Sequence, residues 1–237
     1  MSDIDQSYIE PETDDPARYG EARTCSYVLT ALGVGILAWV VFGSYAQEAA
    51  IWTAMAYPIA VLIVAERYAG IMKFNSTKRD PHPSFGTALM FSVIGLFFKA
   101  SQQWHVVEWH NFWPPFAIAF LTMAAASCAL SSEIRKSVSA MFMCSVFCGF
   151  YGYGAVLDVN GMLATAPPTT CQAQINDMYI VRGKSTTYHF ILSAWGSRDN
   201  GNKVDVSSYE YTQHRIGDTV TITVRVGYLG IPNFWVR

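Results

Sequence analysis

The sequence predicts a membrane-embedded all-α helical bundle of about five transmembrane helices, followed by a small all-β C-terminal module, a barrel or a rolled sheet. Uncharged apolar stretches fill the chain up to about residue 157, and a polar segment rich in alternating β-branched and aromatic residues follows. Only 14% of the 237 residues are charged, compared with about 25% in ordinary globular proteins. We predict an acidic cytoplasmic tail over 1–24, a helical domain over 25–157, a linker over 158–171 and a β-rich extracytoplasmic module over 172–237.

Five apolar segments are predicted to cross the membrane, because a helix of about 20 apolar residues crosses a hydrocarbon core of about 30 Å. The segment 83–98 is the shortest of them and crosses only if Lys99 snorkels and the helix continues toward Trp104. Otherwise it is a re-entrant segment. The five predicted segments are 25–46, 49–65, 83–98, 111–132 and 137–157.

Basic residues in the breaks between these segments predict the orientation. Eight lie on one side and only Lys99 lies on the other, and an excess of basic residues marks the cytoplasmic side. With five crossings the N-terminus is cytoplasmic and the C-terminal module is periplasmic; without the third crossing the module is cytoplasmic. The eight residues are Arg18, Arg23, Arg67, Lys73, Lys78, Arg79, Arg135 and Lys136.

The N-terminal segment is acidic and lacks an apolar stretch before a cleavage site, so the first helix is predicted to be an uncleaved anchor. The net charge of −2 gives no electrostatic basis for nucleic-acid binding. Among the five cysteines, Cys171 is the only one in the tail, so it is a free thiol or pairs outside the module.

The tail contains short runs with the alternation and turn residues typical of strands. Strands are predicted over 172–181, 186–195, 204–207, 219–226 and 234–236, with one helical turn over 208–214. In the second run, Tyr188, Phe190 and Leu192 fall on one face. A module of about 70 residues is near the lower limit for independent folding.

The last third of the chain carries a pattern that resembles a module found at the end of many uncharacterised bacterial multi-pass membrane proteins. That resemblance implies a bacterial inner membrane and a small β fold. It carries no known activity and transfers no functional residues. The pattern is Tyr188-x-Phe190-Ile191-Leu192, Trp195, Tyr209, Gly217-Asp218-x-Val220-x-Ile222 and Gly227-x-Leu229-Gly230-Ile231-Pro232.

Three potential zinc ligands, His105, Glu108 and His110, lie in the break between the third and fourth segments. Their spacing matches no zinc-binding helix motif, and tryptophans interleave with them as in an interfacial aromatic belt. We therefore prefer the belt interpretation and predict no metal and no cofactor.

No enzyme signature is found in the sequence. His189, His214, Asp205 and Asp218 form no recognisable catalytic pattern, and Gly183-Lys184-Ser185 lacks the upstream glycine of a phosphate-binding loop. The five apolar segments contain no aspartate, glutamate, lysine, arginine or histidine, which argues against a proton-coupled transporter. We predict that the protein is not an enzyme.

Binding is therefore the predicted function, and the best hypothesis is an immunity-type protein that protects against a membrane-targeting toxin. The alternatives are a channel or transport component, or an envelope scaffold whose module recruits a periplasmic partner. The predicted partners are the lipid bilayer and a protein toxin or a periplasmic protein. A second copy of the chain is a further predicted partner, and it would pack through Gly149, Gly152 and Gly154. Ordinary packing within one bundle is nevertheless the favoured explanation of these glycines. The predicted partner-binding residues are Trp104, Trp109, Trp113, Tyr209, Tyr228, Phe234 and Trp235.

Overall fold

The computed structural model describes residues 16–76, 82–183, 186–196, 198 and 202–236. Within them the chain divides into two compact units. The first contains the residues up to Gln102 together with Pro114–Asp158, and the second contains Gln103–Trp113 and the chain from Val159 onward. The predicted acidic residues up to Asp15, the basic residues Lys78 and Arg79, and the turn residues Lys184 and Ser185 lie outside the described residues.

Helices build the first unit, and the predicted helical region is confirmed. Four helical segments are long and apolar enough to cross a membrane: Pro16–Phe42, Gln47–Arg67, His110–Leu130 and Val138–Met162. The helices are α1 (Pro16–Phe42), α2 (Gln47–Arg67), α3 (Gly86–Gln103), α4 (Trp113–Leu130, preceded by the 3-10 helix His110–Phe112), α5 (Ser132–Lys136) and α6 (Val138–Met162).

The predicted third crossing corresponds to helix α3, which is not among these four segments. Lys99 and the glutamines at its C-terminal end lower its mean hydropathy. Helix α3 is nevertheless closely surrounded within the first unit. A Cβ atom at Gly33 of α1 would lie 2.9 Å from the carbonyl oxygen of Ala88, and one at Gly154 of α6 would lie 2.8 Å from the backbone of Leu96.

Tyrosine hydroxyls connect the helices of this unit. Tyr57 of α2 donates to the carbonyl oxygen of Leu29 in α1, and Tyr151 of α6 donates to that of Met55 at 3.3 Å. Such interhelical hydrogen bonds add to close packing where an apolar surrounding offers polar groups no water.

A curled antiparallel sheet, a half-barrel, forms the second unit. Its strand order is β1-β6-β5-β2-β3-β4, and all neighbours are antiparallel. Phe190, Leu192, Ile175 and Ile222 are fully buried in its core. The elements are β1 (His105–Val106), β2 (Thr169–Arg182), β3 (Thr186–Leu192), β4 (Asn202–Val206), α7 (Ser208–Gln213), β5 (Thr219–Val226) and β6 (Pro232–Val236).

The five predicted strands and the helical turn are confirmed, but the sequence did not predict β1. This strand comes from the segment between α3 and α4 and pairs His105 with Phe234 and Val106 with Asn233. The predicted linker is shorter than expected, because α6 continues to Met162 and β2 already begins at Thr169.

Candidate functional site

Among the described residues, β1 and β4 are the two edge strands of the half-barrel, and they face a seam where the sheet does not close. Four antiparallel pairings separate β6 from β4 in the strand order, so β6 and β4 run in the same direction. Strand β1 contributes only two residues to the sheet, and the amide of Val107 extends the ladder by donating to the carbonyl oxygen of Pro232 at 2.8 Å.

Arg198 closes one end of this seam. Its Nη2 donates to the carbonyl oxygens of Val106 at 2.9 Å and Val107 at 2.8 Å, and its Nε donates to Val107 at 3.2 Å. The guanidinium also lies over the rings of Trp195 and Phe234, 5.7 and 5.3 Å from their centres. The segment after β3 is thereby connected to the edge formed by β1.

The charge of Arg198 is retained in this setting. Burial lowers the pKa of its guanidinium, and the nearby carboxylate of Glu108 opposes that shift. The guanidinium of arginine is not deprotonated in proteins. Arg198 therefore acts as a permanent charged donor.

At the opposite end the seam opens into a groove of about 300 Å³. One wall is the C-terminal half of β4 with the start of α7, and the other is β1 with the end of β6. Its lining residues are His105, Val204, Asp205, Val206, Ser207, Glu210, Phe234, Trp235 and Val236. Two of these nine residues, Asp205 and Glu210, are acidic, and none is a lysine or an arginine.

Asp205 is held in place by a buried histidine. Its Oδ1 lies 2.6 Å from Nδ1 of His189, and Nε2 of His189 lies 2.9 Å from the hydroxyl of Thr187. The ring of Tyr179 lies 5.0 Å from the imidazole, and Lys203 lies over Tyr179. The order hydroxyl, imidazole, carboxylate is that of a nucleophile relay, but the groove is lined by Asp205 and not by Thr187 or His189.

Glu210 is fixed by a capping box at the start of α7. Its amide donates to the hydroxyl of Ser207 at 3.1 Å, and its carboxylate accepts from the amide of Ser207 at 2.9 Å. Reciprocal bonds of this kind satisfy two free donors at a helix start. The second acidic residue of the groove thus has a defined position.

Asn160, near the end of α6, positions the turn that leads into β6. Its side chain is fully buried; Oδ1 accepts from the amides of Leu229 at 3.0 Å and Ile231 at 3.3 Å, and Nδ2 donates to Ile231 at 2.9 Å. A Cβ at Gly227 would overlap this side chain. The turn also requires Gly230, whose φ of 75° favours glycine.

Arg225 of β5 holds the segment before β2. It donates to the carbonyl oxygen of Ala166 at 3.0 Å and also to that of Ala164. Cys171 of β2 has its Sγ 3.7 Å from the carbonyl oxygen of Ile222, and burial raises the pKa of its thiol. All five cysteines are free thiols in the structure.

The predicted partner-binding residues separate into two groups. Trp104 and Phe234 are buried: Phe234 belongs to the core of the second unit, and the ring of Trp104 lies 6.3 Å from that of Trp235. Trp235 is half-buried and lines the groove. The exposed group, with exposed fractions between 43% and 72%, consists of Trp109, Trp113, Tyr209 and Tyr228.

The weak metal candidates do not form a cluster. His105 lies in β1 with its ring 5.6 Å from Phe234, Glu108 follows β1, and His110 begins the 3-10 helix. Among the described residues no group of three histidine, cysteine, aspartate or glutamate side chains could hold a metal ion.

The predicted glycine interface lies partly inside the first unit. A Cβ at Gly152 would meet the ring of Phe116 at 3.3 Å, and one at Gly154 would meet Leu96. Gly149 has no atom within 4 Å of such a Cβ. Two of the three glycines therefore allow close approach of helices within one chain.

The roles of Arg198 and Asn160 and the pairing of His189 with Asp205 were not predicted from the sequence. The partners of Arg198 lie 91 and 92 residues away, and one partner of Asn160 lies 71 residues away. No local motif marks such contacts. For the pairing of His189 with Asp205, the one local indication in the sequence is the alternation of β3, which puts His189 on the face opposite Tyr188.

A scan against protein-family models matches no family, and searches among curated proteins and among solved structures return no match.

Proposed function

We propose that the protein is a non-enzymatic integral protein of a bacterial inner membrane whose β-rich unit binds a protein partner in the periplasm. The observation that supports this proposal best is that the segment 103–113 and the C-terminal strands belong to one folded unit. Trp109 and Trp113 from the segment, and Tyr209 and Tyr228 from the tail, are exposed on that unit. Tyrosine and tryptophan are the residues that most often anchor protein interfaces.

The sheet pairing supports a topology in which α4 and α6 each cross the membrane once. Two crossings between the segment 103–113 and the tail return the chain to the side where it started. Pairing of β1 with β6 requires that both segments lie on the same side. Both helices are among the four that are long and apolar enough to cross.

Helix α3 decides which side that is, and we propose that it crosses as well. Its 18 residues span about 27 Å at about 1.5 Å per residue, close to a hydrocarbon core of about 30 Å. Neighbouring helices shield part of its surface, so it needs less apolar surface than a helix exposed to lipid. Five crossings also put all eight basic residues on the cytoplasmic side.

The partner that we favour is a toxin directed at the membrane, which makes the protein an immunity protein. The chain is small, and its predicted crossing segments contain no aspartate, glutamate, lysine, arginine or histidine that would mark an ion or proton path. An envelope scaffold that recruits a periplasmic protein would use the same surface. A channel or transport component would instead produce a change in solute flux when the protein is deleted.

The test is survival of a deletion strain grown alone and then mixed at high density with its parent. An immunity protein predicts normal growth alone and killing in the mixture. A growth defect in pure culture, with no further effect of the parent, would favour a scaffold or a transport component and contradict immunity.

Point variants then test the binding surface. Trp109→Ala or Tyr228→Ala should weaken protection while the amount of protein in the membrane stays unchanged. Tyr45→Ala is the matched control, because Tyr45 is 87% exposed but lies in the turn between α1 and α2. If these variants lose protection only because less protein is present in the membrane, the result contradicts a role of this surface in binding.

A further inference from the structure

We propose that the groove at the open end of the seam binds an extended, cationic segment of the partner polypeptide, which adds to the sheet as a strand beside β4. This inference rests on the proposed function and names the chemistry of the partner. Recognition by strand addition takes affinity from backbone hydrogen bonds and specificity from alternate side chains.

The position of β4 supports strand addition. Within the described residues β4 is an edge strand that pairs with β3. An edge strand presents a row of backbone donors and acceptors that can pair with another chain. A segment antiparallel to β4 would lie in the groove, with His105, Trp235 and Val236 on its other side.

The closed end of the seam explains why the added strand would be confined to one part of it. Arg198 connects the segment after β3 to Val106 and Val107 at the end where β4 begins. The groove lies toward the end where β4 stops and α7 starts. An incoming strand therefore meets Asp205 and Val206 rather than the beginning of β4.

The lining of the groove indicates a cationic segment. Asp205 and Glu210 are its formally charged residues, and none of its nine residues is a lysine or an arginine. His189 and Ser207 hold these two carboxylates in place, so little ordering is required when a cation binds.

Apolar side chains complete the lining: Val204, Val206, Phe234 and Val236. Successive side chains of a strand point to opposite faces. A segment that alternates basic and apolar residues would therefore place its apolar side chains against these residues and its basic ones near the carboxylates.

The test uses the full-length protein in nanodiscs of neutral lipid and a fluorescent peptide of about seven residues that alternates valine and lysine. Two matched peptides are compared with it: one carries glutamate in place of lysine, and the other carries N-methyl groups on its backbone amides. Fluorescence anisotropy should show saturable binding of the lysine peptide, at least about tenfold tighter than that of either matched peptide. Equal binding of all three peptides, or no binding, would overturn the proposal.

Location is tested by hydrogen exchange and by two isosteric variants. Bound lysine peptide should slow exchange of the amides within 204–206 that do not bond to β3. The double variant Asp205→Asn and Glu210→Gln should abolish the preference for the lysine peptide over the glutamate peptide. The new amide oxygens can still accept from His189 and from the amide of Ser207. If the bound peptide slows exchange only at amides outside β4, the proposal that it binds beside β4 is contradicted.

Two further outcomes separate this proposal from its alternatives. If exchange of the same amides within 204–206 slows with rising protein concentration in the absence of peptide, the groove belongs to a second copy, and a peptide partner is contradicted. A deletion strain that is killed in mixture, combined with a lack of peptide binding, would leave the proposed function standing and reject the groove.

Discussion

The guanidinium of Arg198 donates two hydrogen bonds to the carbonyl oxygen of Val107, a residue 91 positions earlier in the chain. This contact ties the segment after β3 to the segment between α3 and α4. The half-barrel is therefore built from two distant parts of the sequence, and its seam is closed by a side chain at one end and open at the other.

Replacing Arg198 should release β1 from the seam. Arg198→Ala removes charged hydrogen bonds to two carbonyl oxygens, and we expect the second unit to lose about 2 kcal/mol of stability. Arg198→Lys should recover only part of this, because lysine keeps the charge but not the planar fork. Thermal unfolding and hydrogen exchange of the Val107 amide provide the measurement.

Arg215→Ala is the matched control for Arg198, because Arg215 is an exposed arginine of the same unit. It should change stability by less than about 0.5 kcal/mol. Unchanged exchange at Val107 in Arg198→Ala would show that the guanidinium does not hold β1.

Asn160 and Gly227 should be energetically coupled. Asn160→Ala removes the acceptor of the Leu229 and Ile231 amides and one donor to the Ile231 carbonyl oxygen, and we expect a loss of about 3 kcal/mol. Gly227→Ala should also destabilise, because its Cβ overlaps the Asn160 side chain. In the double variant the overlap is gone, so the combined loss should be smaller than the sum of the two.

Asn111→Ala provides the comparison, since Asn111 of the 3-10 helix donates an exposed hydrogen bond to the same turn, at the carbonyl oxygen of Gly230, 2.9 Å away. It should cost no more than about 1 kcal/mol. Additive effects of Asn160→Ala and Gly227→Ala, measured by thermal unfolding, would contradict the overlap.

The isolated tail should not fold as it does in the full chain. A fragment over 168–237 lacks β1, Val107 and Asn160, and a module of about 70 residues has little stability to spare. We expect rapid amide exchange and no cooperative thermal transition. Attaching residues 103–113 to its N-terminus through a flexible linker should restore part of the cooperativity. A cooperative transition in the shorter fragment would show that β1 is dispensable.

Two glycines of α6 should respond differently to a methyl group. Gly154→Ala forces Leu96 of α3 to shift and should destabilise the helical unit by about 1–3 kcal/mol. Gly149→Ala meets no atom within 4 Å and should leave the melting temperature in detergent unchanged or slightly raised. A change of molecular mass by light scattering in Gly149→Ala would instead assign that glycine to an interface between copies.

The sequence predicted the helical region, most strand positions and the turn at α7, because these depend on local hydropathy, alternation and turn residues. Thr219–Val226 was predicted at its observed bounds, since its alternation is uninterrupted and Gly217-Asp218 precedes it. Strand β1 could not be predicted in the same way. Its two residues carry no strand pattern and are defined by pairing with Phe234 and Asn233.

The candidate site was predictable only in part. Trp235 and His105 were identified from their residue types, and both line the groove. The carboxylate pair of Asp205 and Glu210 depends on how far the sheet curls, which local sequence does not encode. Trp104 and Phe234, which were predicted to bind a partner, are both buried, and Phe234 also lines the groove.

The proposed topology is tested most directly by labelling single cysteines with a membrane-impermeant maleimide in cells whose outer membrane is permeabilised. A variant with all five natural cysteines replaced by alanine or serine forms the background. Single cysteines are then introduced as Ile216→Cys on the second unit and Lys136→Cys in α5; both positions are exposed. The account predicts that Ile216→Cys is labelled in intact spheroplasts and Lys136→Cys only after lysis. The reverse pattern would place the β-rich unit in the cytoplasm and contradict a periplasmic binding protein.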